Sequence, residues 1–173
     1  MIITESQSES LPDISSLIPH RDKMALLDRV VSVDAVSLCA EVTIRSDHLF
    51  YDDDSRSVGA WVGIEMMAQA MAAFEGYQAW TQDKPVKVGF LLGTRYYESH
   101  CNGFPLGSRL QISVTQVIKH ANGLGAFDCK ICHAGAPEND VLAAATLTAF
   151  QPDDVQQFLR NNNPLKTDPP ETD

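Results

Sequence analysis

The chain has 173 residues, enough for one ordinary domain that can bury roughly 70% of its unfolded surface without staples. A hydrophobic fraction of 44% and a mean hydropathy of -0.14 describe a globular protein and exclude global disorder, collagen-like repetition and a disulfide scaffold. Thirteen basic against twenty-three acidic residues give a formal net charge of -10, and a surface of that sign repels nucleic-acid phosphates and anionic lipid.

The elements follow in a clear order. Residues 1–13, with three acids and no base, and residues 161–173, polar and proline-rich, are expected to be mobile tails around a single domain spanning 14–160. Ala25–Val33 and Val36–Ile44, separated by Asp34 and Ala35, predict a hairpin. Val62 to Trp80, free of proline and rich in Met and Ala, predicts a helix of about five turns. Strands are expected over Lys87–Tyr97, Arg109–Lys119, Gly125–Cys132 and Val141–Phe150, with a short helix through Leu159. Strands, one long helix, then a run of strands imply an α+β fold in which an antiparallel sheet packs on one helix. No secretion signal or membrane-length apolar run is read, so the expected compartment is the cytoplasm, with the four cysteines reduced.

The central helix is apolar nearly all round, apart from Glu65, Gln69 and Glu75, and such a helix is buried nearly all round. Glu65 and Gln69 stand one turn apart on one face. A carboxyl group so placed is expected to be desolvated, with its pKa raised into the range useful for proton donation. Complementing the helix dipole from the first turn is an equally good account of its position.

Leu17-Ile18-Pro19-His20-Arg21 with Met24-Ala25-Leu26-Leu27-Asp28-Arg29, then Gly63-Ile64-Glu65-Met66-Met67-Ala68-Gln69-Ala70, then Gly89-Phe90-Leu91-Leu92-Gly93-Thr94-Arg95 resemble three motifs of the β-hydroxyacyl-acyl carrier protein dehydratases. The resemblance spans about residues 17–158 and is nearest to the aryl polyene branch. It implies a hot-dog fold, a sheet wrapped around one long central helix, in at least a homodimer or with a hot-dog paralogue. It implies removal of water from a 3-hydroxyacyl group on acyl carrier protein. That reaction needs a base for the C2 proton, an acid for the C3 hydroxyl and a donor to the thioester oxygen. By resemblance Glu65 is the acid and Gln69 orients it. The Ala60 N–H, where relatives have Gly, is the oxyanion donor, and His20 lines the acyl tunnel. The Gly-His-Phe-Pro-Gly loop that carries the base in better-known relatives is absent. The candidate base is His48, seventeen residues before Glu65, with His20 as the fallback.

No metal or redox cofactor is implied, since the phosphopantetheine arm arrives with the substrate; neither nucleic acid nor a membrane is an expected partner. A hot-dog thioesterase and a catalytically silent subunit are the competing readings. Cys129-Lys130-Ile131-Cys132-His133 spells a haem-attachment string, but it reads as a strand, where residues three apart point to opposite faces. The termini hold most of the negative charge, so an acidic carrier is expected to meet a local basic patch, with Arg56, Lys84, Lys87 and Arg95 as candidates.

Overall fold

A computed structural model describes residues 11–137 and 140–161, so most of the two expected tails lies outside the described residues. A short helix α1 (Ile14–Leu17) leads through a loop to the hairpin β1 (Arg29–Val33) and β2 (Ser37–Thr43). Two short strands, β3 (Tyr51–Asp52) and β4 (Ser57–Gly59), and a single 3-10 turn at Ala60–Val62 deliver the chain to the long helix α2 (Gly63–Trp80). Then come β5 (Phe90–Ser99), β6 (Gly103–Pro105), β7 (Arg109–Lys119), β8 (Leu124–His133), β9 (Val141–Phe150) and a terminal helix α3 (Val155–Asn161).

Six strands form one antiparallel sheet in the order β1-β2-β7-β8-β9-β5, and β3, β4 and β6 form a small second sheet. The large sheet curls around α2 in the hot-dog arrangement. Alternation makes this possible: Leu38, Ala40 and Val42 of β2 and Leu110, Ile112 and Val114 of β7 all point inward, where they meet Met66, Met67, Ala70 and Phe74 of the helix. Methionine and alanine suit the concave seat, because an unbranched thioether fills irregular gaps and a methyl lets the sheet approach. Among the described residues no helix is long and apolar enough to cross a membrane.

The predicted hairpin begins later than its hydrophobicity suggested. Ala25 to Asp28 stay outside the ladder, because the Leu26 N–H is taken by the Gln69 side chain at 2.8 Å instead of a strand partner. The short second sheet was not anticipated; its strands of two and three residues carry no periodic signal. Strand β7 holds a bulge between Gln116 and Ile118, where one extra residue shifts the pairing with β8.

Helix α1 seats on α2 at Gly76. A Cβ there would lie 1.9 Å from the carbonyl oxygen of Leu17, so only glycine lets the two backbones meet. Since Leu17 and Ile18 are fully buried at that contact, the backbones cannot simply separate. Gly76→Ala should therefore destabilise the fold by about 3 kcal/mol, read as a lowered midpoint in chemical denaturation; an unchanged midpoint would mean that α1 docks elsewhere.

Candidate active site

The loop between α1 and β1 carries the Pro-His-Arg motif across one face of α2. Arg21 braces that loop internally, its Nη1 donating to the carbonyls of Ile18 at 2.6 Å and His20 at 2.7 Å. Gln69, fully buried, ties the loop to the helix. Its Nε2 donates to the Met24 carbonyl at 2.7 Å and to Glu65 Oε1 at 2.9 Å, and its Oε1 accepts from the Leu26 N–H at 2.8 Å. Both amide hydrogens and the amide oxygen are engaged, so a polar group in a dry place is fully satisfied.

The result is that His20 and Glu65 face one another, Nε2 to Oε1, at 3.4 Å. His20 Nδ1 is buried without a hydrogen-bond partner among the described residues. Glu65 is 35% exposed, more open than the apolar surroundings of its helix suggested, because a cavity of about 300 Å³ opens beside it. That cavity starts at Pro19, His20 and Glu65, runs along α2 past Ala68, Met71 and Ala72, and reaches Glu75, Gln116 and Lys119. The far wall is apolar and largely aromatic, with Phe90, Phe127 and Phe150. The site thus pairs an imidazole and a carboxyl group, one able to take a proton and the other to give one, at the end of a slot shaped for a hydrocarbon chain.

The remaining expected residues fall elsewhere. His48 sits in the turn after β2, its N–H donating to the Arg45 carbonyl at 3.2 Å, and it does not line this cavity. Both its ring nitrogens are buried without a hydrogen-bond partner among the described residues. Burial first, then the positive charge of Arg45, pushes the imidazole below its ordinary value. The Ala60 N–H is engaged within the chain, donating to the Asn102 carbonyl at 3.1 Å, while the Ala60 carbonyl accepts from the Tyr97 hydroxyl. Ala60 can serve as an oxyanion donor only by giving up Asn102, a constraint the helix-terminus pattern did not reveal.

Of the candidate basic residues, Lys87 stands at the cavity and pairs with Asp153 at 3.1 Å, Lys84 donates to Gln82 at 2.7 Å, and Arg56 and Arg95 are exposed. Cys129 points into the core, where burial pushes its thiol up to about 12, while Cys132 lies past a shift in the β8–β9 register.

Two measurements probe this arrangement. Gln69→Leu keeps the volume but strands the Leu26 N–H and the Met24 carbonyl, so a loss of roughly 3 kcal/mol in unfolding free energy is expected, together with looser placement of Glu65. For His48 the sign follows from its depressed value. The unfolded chain takes up a proton near the ordinary histidine range that the fold does not, so stability is full above that range and declines as pH falls through it. Between about pH 7.5 and about pH 5 the wild-type melting temperature should drop more than that of His48→Gln; equal drops would mean that His48 titrates alike in both states.

Comparison with known proteins agrees with the geometry. The sequence model of the ApeP-like family, described as ApeP dehydratase, matches residues 12–160. The dehydratase heterocomplex ApeI:P from Xenorhabdus doucetiae is similar at 26% identity and a TM-score of 0.79, over 88% of this chain and 99% of that one. The PaaI protein of the E. coli phenylacetic acid degradation operon, at 12% identity and a TM-score of 0.53 over 70% of this chain and 80% of that one, shares the fold. So does a hypothetical thioesterase with coenzyme A from Streptococcus pneumoniae TIGR4, at 12% identity and 0.54 over 71% of this chain and 84% of that one. No curated protein matches the chain by sequence. With a family match across nearly the whole described domain and a helix carboxylate at the cavity, the chain belongs to the ApeP-like dehydratase family.

Proposed function

We propose that this dehydratase acts on 3-hydroxyacyl groups delivered as thioesters on acyl carrier protein, with the acyl chain lying in the cavity along α2. His20 takes the C2 proton, the C3–oxygen bond breaks, and Glu65 protonates the departing hydroxyl, which leaves as water from a trans-2-enoyl thioester. The observation that carries this reading is the 3.4 Å contact of His20 with Glu65 at one end of an apolar cavity. Gln69 gives the carboxyl group a fixed direction through its 2.9 Å hydrogen bond, the kind of support that proton transfer in a defined geometry requires.

A second reading gives the base to His48 of a facing subunit. The observation in its favour is that both ring nitrogens of His48 are buried and unpartnered among the described residues. Strand β5 offers the surface for a facing subunit. It is an edge strand, and Leu91, Leu92 and Tyr96 are exposed along it, a combination that invites pairing with another sheet. A second copy of this chain or a hot-dog paralogue would extend the sheet there; the heterocomplex composition of the ApeI:P relative supports the paralogue. Lys87 beside the cavity and Arg95 on β5 would meet the acidic carrier.

The test is turnover of a 3-hydroxyacyl carrier thioester, with the enoyl product and free carrier thiol measured separately, alone and after mixing with a hot-dog paralogue. Glu65→Gln should lower kcat by about 10²-fold or more. His20→Ala should do the same with His48→Ala near wild type; the reverse order moves the base to His48. Release of carrier thiol without enoyl product would replace dehydration with hydrolysis, and full activity in Glu65→Gln would remove the carboxyl group from the mechanism.

A further inference from the structure

The far end of the cavity is not apolar. Glu75 closes the row that begins at Glu65: residues 65, 68, 72 and 75 recur at helical spacing on one face of α2. Ten residues of helix separate the two carboxylates by about 15 Å along the axis, with the apolar side chains of Ala68, Met71 and Ala72 lining the cavity between them. Glu75 Oε1 accepts from Gln116 Nε2 at 2.9 Å and Lys119 Nζ at 3.4 Å, whereas among the described residues Oε2 accepts only from Lys119, at 3.2 Å.

That arrangement depends on the bulge in β7. In a regular strand Gln116 and Lys119, three apart, would face opposite sides. The extra residue between Gln116 and Ile118 reverses the alternation, so both side chains reach Glu75 and line the cavity, while Val117 and Ile118 are exposed. Bulges next to functional sites commonly re-aim a side chain in this way. A carboxylate has room for about four donors, and three contacts are made, so Oε2 has acceptor capacity left toward the cavity.

We propose that Glu75, oriented by Gln116 and Lys119, is a specificity-determining residue that accepts a hydrogen bond from a hydroxyl group at the far end of the acyl chain. The assignment rests on the reading of this cavity as the acyl site. An acyl chain begun at His20 and Glu65 and laid along α2 brings its distal end to Glu75 with apolar wall on the way. A methyl terminus arriving there would desolvate the carboxylate without replacing its water, and a hydroxyl terminus would replace it. The same reasoning gives Ala72 a length role: a large side chain at that position stands between the two ends.

The experiment compares matched 3-hydroxyacyl pantetheine thioesters that span about 15 Å and end in a hydroxyl, a methyl or a carboxyl group. The readout is the ratio of kcat/KM between them, and, in parallel, the ratio of Kd for their unreactive saturated analogues. Wild type should favour the hydroxyl over the methyl terminus by about tenfold or more, Glu75→Ala should bring that ratio near unity, and Ala72→Phe should lower the ratio of long to short substrate. No hydroxyl preference in wild type, a preference that survives in Glu75→Ala, or a stronger preference for the carboxyl terminus would each overturn the assignment. Wild-type formation of enoyl product from the whole set, together with a 3-hydroxybutyryl thioester, alone and with a hot-dog paralogue, is scored separately. If enoyl product is absent from every substrate the dehydratase reading fails, and the binding ratios still decide the role of Glu75.

Discussion

A single carboxamide holds the site to the fold. Gln69 is fully buried on α2, and its amide reaches out of the helix to the backbone of the loop that carries His20. Apolar contacts between that loop and the helix are non-directional, so they fix distance without fixing register. The amide fixes register, because an N–H and a carbonyl two residues apart must both find it. The same group turns Glu65 toward the cavity. Leaving either backbone partner unmet in a dry environment carries a penalty, so the loop, the helix and the carboxyl group move as one body.

The rest of the architecture serves that body by enclosing it. A helix this apolar is insoluble alone and must be wrapped, and the curled sheet supplies the wrap. Closeness on one side comes from Gly76, where the Leu17 carbonyl occupies the space of a side chain. Openness on the other comes from Ala68 and Ala72, whose short side chains leave room along the same helix. Small residues therefore do opposite jobs on the two faces of α2: one lets a backbone in, and the others keep a cavity free. Charge ties the first three strands of the sheet together, with Glu41 of β2 held by Arg29 of β1 and Arg109 of β7.

Much of the fold was legible in the order of its elements. Arg109–Lys119 and Val141–Phe150 were readable in their extent, because inward positions alternate over Leu110–Val114 and Ala143–Leu147, and α2 stood out through its length and lack of proline. That Glu65 and Gln69 share a face followed from helical spacing, and that Gln69 orients the acid was what the family resemblance implied. What could not be read were features made by residues far apart in sequence. The hairpin's true start was set by a side chain forty-three positions away. The engagement of the Ala60 N–H depends on Asn102, which belongs to the approach to β6. The meeting of His20 with Glu65 required the loop to be drawn over the helix, and nothing local to either residue announces it. Glu75 was visible as a break in an apolar helix, but its partners were hidden by the bulge, since a strand's alternation gives Gln116 and Lys119 to opposite faces.

That bulge makes the cavity's chemistry a matter of residue count. Beyond it, which side chains of β7 look inward is decided by one inserted position: loss of Val117 itself would leave Gln116 and Lys119 two apart on one face, whereas the same residues paired without the bulge would bring Ile118 to the place Lys119 holds. The polar terminus of the slot would become a greasy one with no catalytic side chain altered. Divergence among such proteins can then run through the gain or loss of a bulge in an inner strand, and a survey limited to the catalytic side chains would pass over the step that matters.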